Sequence, residues 1–328
     1  PIARITCLYI GRVGDVIVAT PFLRALRRRF PKALIRLIVG WRSVSVLPLI
    51  AFIDEYAVLE KPQSLGGHLK LAWSLISQPC DLLIDLNSSF SKTSTLIARA
   101  SRARVRVAFD KGRGPDVFDQ TLPAPAVTEH MCDRYARLAD ALGALYDPEL
   151  ELRLPAADVA EADWLLAPLL SKADRSFNIL VHPGNFERFS FRWPEEKFIA
   201  LTDRLQDDPT LRVFFLAGPG EHEKVAAMAR ALARPVPVLP PARLGVVGAM
   251  LKKMDFFVCN ITGTTHLAAA LQVPTFGFYA GYTQAVWRPR GARHGGTLCS
   301  EWESCRETTV DEAMAALKDH LGRLSSRL

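Results

Sequence analysis

Short apolar runs alternate with longer amphipathic stretches along the 328 residues of this chain. The apolar runs are rich in Val, Ile, Leu and Phe, which is typical of strands buried in a parallel sheet. They predict strands at residues 4–10, 34–39, 81–86, 105–109, 178–181, 212–217, 236–239, 256–258 and 275–279. The amphipathic stretches predict helices at residues 21–29, 65–76, 90–99, 129–142, 160–170, 195–205, 221–233, 244–252, 266–271 and 310–324. This alternation predicts an α/β fold with parallel sheets that are covered by helices on both faces.

The first predicted helix follows a predicted loop at residues 11–15. Thr20 is a suitable N-cap, and Pro21 suits the first helical position. Apolar side chains recur at i, i+4 and i+8 on one face, as a helix packed on a sheet requires. The outer face is predicted to carry three arginines, Arg24, Arg27 and Arg28.

Two domains are predicted from the chain length and from a polar break in the alternation. Residues 1–160 form the first domain, residues 175–328 the second and residues 161–174 the linker, with the alternative left open that the last helix packs back on the first domain. Both are expected to be doubly wound, Rossmann-like domains that face each other across a cleft. Ligands of such sheets bind outside the carboxyl ends of the strands. The predicted cleft therefore collects the loops at residues 11–15, 87–91, 183–192, 217–221 and 260–265.

Composition excludes some classes of protein. Hydrophobic residues make up 49% of the chain, yet no run of about 18 uncharged apolar residues is present, so no transmembrane helix is expected. The N-terminal residues lead directly into a strand without the features of a signal peptide, which predicts a cytoplasmic protein. Cys7, Cys80 and Cys259 are predicted to be reduced core residues. Cys299 and Cys305 lack a second pair, so no metal site is predicted.

Positive charge is concentrated in the first part of the chain. The net charge is +7, and residues 1–120 carry 18 Lys or Arg against 9 Asp or Glu. Such an excess favours a polyanionic partner, which is a nucleic acid, a phosphorylated glycolipid or an anionic membrane face, over a merely solvated surface. The arginines are not interleaved with stacking aromatic residues, which speaks against nucleic acid. Weak contact with an anionic membrane surface is expected, with six of the basic residues between Arg99 and Arg113.

Two stretches carry candidate chemistry. Asp15 follows the first predicted strand in a loop that reaches the cleft, where one carboxylate can act as a general base on an acceptor hydroxyl. The alternative is that Asp15 only interacts with a helix dipole. Residues 260–265 form a small polar turn before a helix, and the unpaired N–H groups of a helix start suit a diphosphate. The alternative there is a helix that is merely capped by Thr264 or Thr265.

The sequence NITGTTHLAAALQVPTFGFYAG, which begins at Asn260, resembles the signature of the family 9 glycosyltransferases. The best-known members of that family are the ADP-heptose:lipopolysaccharide heptosyltransferases. Further stretches resemble the family in the same order along the chain, namely RVGDVIVATPFLRAL, CDLLIDLNSSFSKTSTLIAR, HMCDRYARLADALG and HPG…RWP. The resemblance covers nearly the whole chain and implies the GT-B architecture.

The resemblance also implies roles for particular residues. Asp15 matches the proposed base of the family, and Arg12 and Gly14 beside it are predicted to bind the acceptor. Phe191 stands where the family has a lysine that contacts the donor diphosphate, so two nearby arginines are the replacements unless they are ordinary rim charges. Glu221 matches a Glu near the nucleotide ribose, or it is only a helix cap. The predicted donor-binding residues are Gly184, Asn185, Arg188, Arg192, Glu221, Thr262, Gly263, Thr264, Thr265 and His266.

The predicted function is inverting transfer of a heptose from ADP-L-glycero-D-manno-heptose to a phosphorylated inner-core lipopolysaccharide acceptor. The enzyme is expected to need no metal and no cofactor, and to lie peripherally at the cytoplasmic face of the inner membrane. Ile261 stands where the family has an acidic residue associated with the donor sugar, so the identity of the sugar stays open. The alternatives are a family 9 transferase with another nucleotide sugar or a protein acceptor, and a non-catalytic protein that binds nucleotide sugars or polyanions.

Overall fold

A computed structural model of the chain describes residues 2–60, 66, 77–170, 176–186 and 190–325. The helix predicted at residues 65–76 falls outside these residues except for Gly66, and Arg188 of the predicted donor set also falls outside them. The chain divides into two compact units, Pro1–Arg153 and Leu154–Leu328, which are called unit 1 and unit 2 below.

Unit 1 contains a sheet of six parallel strands in the spatial order β3-β2-β1-β4-β5-β6. The strands are β1 (Arg4–Tyr9), β2 (Leu34–Gly40), β3 (Glu55–Leu59), β4 (Leu82–Asp85), β5 (Val105–Phe109) and β6 (Gln120–Leu122). The described helices are α1 (Val13–Val18), α2 (Thr20–Arg29), α3 (Lys92–Ala100) and α4 (Met131–Ala141), with 3₁₀ segments at Trp41–Leu49 and Pro115–Val117. The strand order reverses between β1 and β4, which is where doubly wound sheets bind ligands.

The prediction of a loop at residues 11–15 is wrong in part, because helix α1 already begins at Val13. A carboxylate oxygen of Asp15 accepts a hydrogen bond from the backbone N–H of Arg12 at 2.6 Å. This contact satisfies one of the N–H groups that a helix start leaves without an intrahelical partner. The prediction of Thr20 as an N-cap is also wrong, because Thr20 lies inside α2 and its hydroxyl donates to a carbonyl of α1 at 2.7 Å.

The prediction that Arg24 lies on the outer face of α2 is wrong. Arg24 is only 6% exposed, and its guanidinium donates to Glu151 at 3.0 Å and to two backbone carbonyls. Arg27 is half-buried and pairs with Asp54. The position of an arginine on the polar stripe of a helix does not show that it faces water, because a neighbouring carboxylate can bury it. Part of the basic surface predicted for this unit is therefore internal.

Unit 2 contains a second parallel sheet, in the spatial order β11-β10-β9-β7-β8. The strands are β7 (Phe177–His182), β8 (Leu211–Phe215), β9 (Phe256–Asn260), β10 (Thr275–Tyr279) and β11 (His294–Leu298). The helices are α5 (Ala156–Leu166), α6 (Glu195–Leu205), α7 (His222–Ala231), α8 (Leu244–Leu251), α9 (Gly263–Ala270), α10 (Gly281–Trp287) and α11 (Val310–Ser325). The strand predicted at residues 236–239 is reduced to a parallel bridge between Val238 and Phe215 beside β8.

Trp193 and the last helix of unit 2 pack into the same hydrophobic core as the sheet. Trp193 is fully buried and stacks on Phe278, with ring centroids 4.0 Å apart and an interplanar angle of 5°. The last helix, α11, packs against β11 and α6 through residues that include the fully buried Ala313 and Leu317, and therefore belongs to unit 2. The helix α5 packs against α8, so the boundary between the units precedes α5.

The predicted α/β class is confirmed by these two doubly wound parallel sheets. The thiols of Cys7, Cys80 and Cys259 are buried and free, as the apolar runs around them predicted. Within the described part of the chain, no helix has both the length and the apolar character that crossing a bilayer requires.

Candidate functional site

The side chain of Asn87 links the segment after β1 to the segment after β4, at the point in unit 1 where the strand order reverses. Asn87 follows β4, and its Oδ1 accepts from the backbone N–H of Ile10, which follows β1, at 3.1 Å. Its Nδ2 donates to the carboxylate of Asp85 at 2.7 Å. These bonds fix the backbone from which α1 begins, and α1 carries Asp15.

The carboxylate of Asp85 is itself held by Lys111, whose Nζ lies 2.5 Å from Oδ2. The side chain of Asp85 is fully buried and that of Lys111 is 1% exposed. Removal of one partner from such a pair leaves an uncompensated buried charge, so each residue depends on the other. Lys111 belongs to the basic residues between Arg99 and Arg113 that were expected to form a surface, and for Lys111 that expectation is wrong.

Asp15 is half-buried beside two buried phenols, Tyr9 and Tyr135, whose ring centroids are 6.4 Å apart. Burial raises the pKa of both phenols, and the charge of the Asp15 carboxylate adds to both increases. The phenols therefore stay protonated at neutral pH, and the role of Asp15 as a general base stays a prediction. Of the predicted acceptor residues, Arg12 is exposed at the N-cap of α1 and Gly14 is buried in its first turn.

Asn260 ends β9 and organises the corresponding place in unit 2. Its side chain is fully buried, and its Oδ1 accepts from the backbone N–H of Trp193 at 2.8 Å. Its Nδ2 donates to the carbonyls of Pro183 at 3.0 Å, Gly184 at 3.2 Å and Trp193 at 3.4 Å. One side chain therefore ties both ends of the segment after β7 to the end of β9.

The turn after β9 is held by its threonines. Thr262 is the N-cap of α9, and its Oγ1 accepts from the backbone N–H of Thr264 at 3.3 Å. The alternative prediction of a cap at Thr264 or Thr265 is wrong, although the Oγ1 of Thr265 accepts from the N–H of Thr262 at 3.1 Å. The Oγ1 of Thr264 lies 2.9 Å from Nδ1 of His182, the last residue of β7. Gly263 opens the helix, so an anion at its N-terminus meets no side chain there.

Glu221 anchors the turn after β8 to the segment after β7. Its carboxylate accepts from the backbone N–H groups of Asn185 at 3.0 Å, Phe186 at 3.3 Å and Gly218 at 3.1 Å, and lies 3.6 Å from Nε2 of His182. Burial acts to raise the pKa of Glu221, but the contacts with His182 and the backbone N–H groups outweigh it and lower the pKa. Glu221 therefore stays ionised at neutral pH and has a clear structural role, while its assignment to the ribose stays a prediction.

The segment after β7 has two unusual backbone features where Glu221 approaches it, at Gly184 and at Asn185. A Cβ at Gly184 would lie 2.3 Å from the carboxylate of Glu221 and 2.4 Å from the ring of His182. Asn185 has a φ of 79°, in the left-handed region that non-glycine residues seldom adopt. Backbone strain of this kind concentrates at ligand sites, where the surrounding contacts hold it in place.

Two cations share one aromatic ring and one carboxylate near this segment. The guanidinium of Arg192 lies 4.7 Å from the ring centroid of Phe186, and the ammonium of Lys224 lies 4.2 Å from it. Both donate to Oε1 of Glu195 at 2.8 Å. Arg192 is 4% exposed, so the structure places it under the segment and not on the rim.

The remaining predicted donor residues lie on α9. His266 is buried, and its ring packs against Trp287 with a centroid distance of 6.0 Å. Ile261, which replaces the acidic residue of the family pattern, is half-buried and packs on β10, because a Cβ at Gly277 would lie 2.7 Å from its Cδ1. An acidic residue would not find the same apolar contact at this position.

Sequence reasoning missed His182, Asn260 and Lys224 as site residues. All three lie in stretches that contain predicted site residues, but their partners are distant in the sequence or lie on another element. His182 and Asn260 each end a buried strand with a polar side chain, and that change from apolar to polar is the signal that could have found them.

A search with protein-family models matches residues 68–315 to glycosyltransferase family 9 (heptosyltransferase). The chain belongs to glycosyltransferase family 9. Among curated relatives, this family 9 chain is 21% identical over 291 residues to the lipopolysaccharide core heptosyltransferase OpsX of Haemophilus influenzae, covering 83% of this chain and 78% of the relative. Membership makes the chain a glycosyltransferase, and the predicted family and enzyme class are confirmed.

Solved structures agree on the fold of this family 9 protein. A family 9 glycosyltransferase from Veillonella parvula aligns with a TM-score of 0.82 at 18% identity, over 98% of this chain and 97% of that one. The heptosyltransferase WaaC of Escherichia coli with ADP-2-deoxy-2-fluoro heptose aligns with a TM-score of 0.71 at 20% identity, over 98% and 99% of the two chains. The predicted GT-B architecture of two Rossmann-like domains is confirmed.

The variant Arg192→Ala is expected to weaken ADP binding by about 1.5–3 kcal/mol, the range for a hydrogen bond to a charged group. The planar guanidinium suits a diphosphate, and Arg192 precedes the Trp193-Pro194 pair that resembles the family motif. Titration calorimetry with ADP measures the change. Arg204→Ala is the matched control, because Arg204 also pairs with a carboxylate in unit 2 but lies on the exposed face of α6. Equal ADP affinity in the wild type and the Arg192 variant would remove the assignment.

Proposed function

We propose that this family 9 glycosyltransferase moves a heptose from ADP-L-glycero-D-manno-heptose to a phosphorylated inner-core lipopolysaccharide acceptor with inversion at the anomeric carbon. The family match over residues 68–315 carries this proposal. The names of relatives support it, since one is a lipopolysaccharide core heptosyltransferase and another is a heptosyltransferase solved with an ADP-heptose analogue.

In the proposed reaction, Asp15 takes the proton of the acceptor hydroxyl while the acceptor oxygen attacks the anomeric carbon. The bond between that carbon and the diphosphate oxygen breaks, and ADP leaves with the electron pair. The neutral phenols of Tyr9 and Tyr135 do not compete for the proton. Attack opposite the leaving group inverts the configuration.

Unit 2 supplies the donor side of the proposal. The N-terminus of α9, which begins at Gly263, presents the positive end of the helix dipole to the diphosphate. Arg192 and Lys224 add positive charge that stabilises the developing charge on ADP, so we propose that the reaction needs neither metal nor cofactor. Glu221 and Asn260 hold the segment after β7 in position, and Glu221 is also the proposed partner of the ribose.

One observation favours a second candidate, a family 9 transferase with a different nucleotide sugar. Ile261 packs its side chain on Gly277, where the family resemblance leads one to expect a carboxylate near the sugar. An apolar side chain cannot accept a hydrogen bond from a sugar hydroxyl, so the sugar subsite would differ in polarity from that of the heptosyltransferases. In either case, we propose that the enzyme is located at the cytoplasmic face of the inner membrane.

Calorimetry with ADP, UDP and GDP is the first test, followed by a transfer assay with ADP-heptose and a deacylated inner-core acceptor. ADP is expected to bind at least about tenfold more tightly than the other two nucleotides, a difference of about 1.4 kcal/mol. Binding of UDP or GDP in preference to ADP would favour the second candidate. Binding of none of the three, with no transfer, would contradict the proposed function.

A further inference from the structure

An exposed amphipathic patch lies on the 3₁₀ segment Trp41–Leu49 of unit 1. Residues at i and i+3 of a 3₁₀ helix lie above one another. Ser43, Val46 and Leu49 form the buried stripe, and the other side exposes Trp41, Arg42 and Val44. Trp41 is 45% exposed and Val44 is 40% exposed, one turn apart on the same stripe. The surface formed by Trp41, Arg42 and Val44 is called the Trp41 patch below.

The Trp41 patch is attached to the connection that leads to Asp15. The segment follows β2, which pairs with β1 in register up to Val39 and Tyr9. The hydroxyl of Ser43, on the buried stripe, donates to the carbonyl of Gly11 at 2.7 Å. The patch therefore lies at the carboxyl edge of the sheet, the edge at which α1 begins.

The charge around the patch is positive. The guanidinium of Arg42 lies 5.2 Å from the ring centroid of Trp41, so cation and indole present one combined surface. Arg12, next to Gly11, is exposed as well. A partner that covers this surface has to offer negative charge and an apolar layer at the same place.

We infer that the Trp41 patch docks unit 1 on the surface of an anionic lipid bilayer, with Trp41 and Val44 at the level of the lipid head groups. Indole rings favour this level of a bilayer because they are apolar with one polar N–H. Arginines beside them add attraction to anionic lipids. The inference rests on the proposed function, because a bilayer at this edge would present a membrane-anchored acceptor on the side of Asp15.

Sedimentation with sucrose-loaded vesicles tests the inference on the full chain. The vesicles contain phosphatidylglycerol and phosphatidylcholine in equal parts, or phosphatidylcholine alone. Wild-type protein is expected to bind the anionic vesicles and to lose binding as salt rises from about 0.05 M to about 0.5 M, where screening shortens the reach of the charges. The double variant Trp41→Ser, Val44→Ser is expected to bind about tenfold more weakly, and Arg42→Gln severalfold more weakly.

The matched control is Trp164→Ser, because Trp164 is 74% exposed on α5 of unit 2. This control is expected to bind vesicles as the wild type does. ADP affinity and transfer to a deacylated acceptor are expected to be unchanged in the patch variants. Absence of ADP binding and of transfer in the wild-type protein would contradict the proposed function. Unchanged vesicle binding by the patch variants would overturn only the inference that the Trp41 patch is a docking surface.

Two further outcomes are decisive. If the wild-type protein does not bind anionic vesicles, the inference is overturned. This holds even if a protein partner is later found to bind the Trp41 patch. If the double variant does not fold, brominated phosphatidylcholine in the anionic vesicles replaces it as a test. The brominated lipid is then expected to quench the tryptophan fluorescence of the Trp164→Ser variant. Quenching is expected to be weaker in the double variant Trp164→Ser, Arg42→Gln. Equal quenching in both, or no quenching in either, overturns the inference.

Discussion

Asp15→Asn is expected to lower the turnover number by a factor of roughly 10²–10⁴, the contribution of a positioned general base. An amide oxygen can still accept the hydrogen bond that Asp15 receives from Arg12 at 2.6 Å, so α1 is expected to keep its start. The variant is therefore expected to remove the proposed base and to retain the fold. Steady-state kinetics with ADP-heptose measure the turnover, and calorimetry is expected to show unchanged ADP affinity.

Two further variants separate chemistry from structure. Asp81→Asn is the control, because Asp81 also accepts from backbone N–H groups, those of Ala3 at 2.7 Å and Arg4 at 3.0 Å, at the amino end of β1. Its turnover is expected to match the wild type. Gly11→Ala is expected to reduce turnover with Asp15 intact, because the added Cβ would lie 2.7 Å from its carboxylate. Wild-type turnover in Asp15→Asn would show that another group is the base.

Asn260→Ala is expected to lower the free energy of unfolding of unit 2 by about 2–4 kcal/mol. The side chain is fully buried and makes four hydrogen bonds to backbone groups, which lose this partner when the side chain is truncated. Urea unfolding followed by far-UV circular dichroism measures the change. Asn178→Ala in β7 is the control, because the described hydrogen bonds of Asn178 come from its backbone, and a change within about 0.5 kcal/mol is expected.

Asn260→Asp tests the donor half of this arrangement at constant size. The ionised carboxylate would face three carbonyl oxygens in place of the Nδ2 donor, which raises its pKa in the folded state above the usual value near 3.9. A group with a raised folded-state pKa loses its stability contribution as pH rises, so this variant is expected to be less stable at pH 7 than at pH 5 relative to wild type. A stability difference that does not depend on pH would contradict the donor role of Asn260.

The elements that the sequence predicted best are strands buried on both faces. Residues 256–258 and 275–279 are continuous apolar runs, and both form strands of unit 2. Strand β11 was missed because its sequence, HGGTL, has two glycines and no apolar run. Its glycines are required by packing, since a Cβ at Gly296 would lie 2.2 Å from the carbonyl oxygen of Gly277. No propensity rule detects a strand whose residues are selected by a neighbouring strand.

The positions of Asp15 and Glu221 near the carboxyl ends of strands were predictable, while their roles stay predictions. Their positions follow from the rule that ligands bind at the carboxyl ends of parallel strands. The contacts that hold the site were not predictable, because they join residues far apart in sequence. Arg192 was predicted as a diphosphate ligand, with an ordinary rim charge as the alternative, but its burial under Phe186 depends on Glu195 and Lys224, which no local pattern brings together.

Asn87 and Asn260, which lie where the strand order reverses in each sheet, have a consequence for synthesis on the ribosome. Ile10 and Asn87 are 77 residues apart, and so are Pro183 and Asn260. In each unit the strand that is translated first, β1 or β7, gains its second neighbour only after those residues have followed. At about 5–20 residues per second, one edge of that strand keeps unpaired backbone N–H and C=O groups for roughly 4–15 s. Slower translation before residues 87 and 260 is therefore expected to raise the demand for chaperones during production of this enzyme.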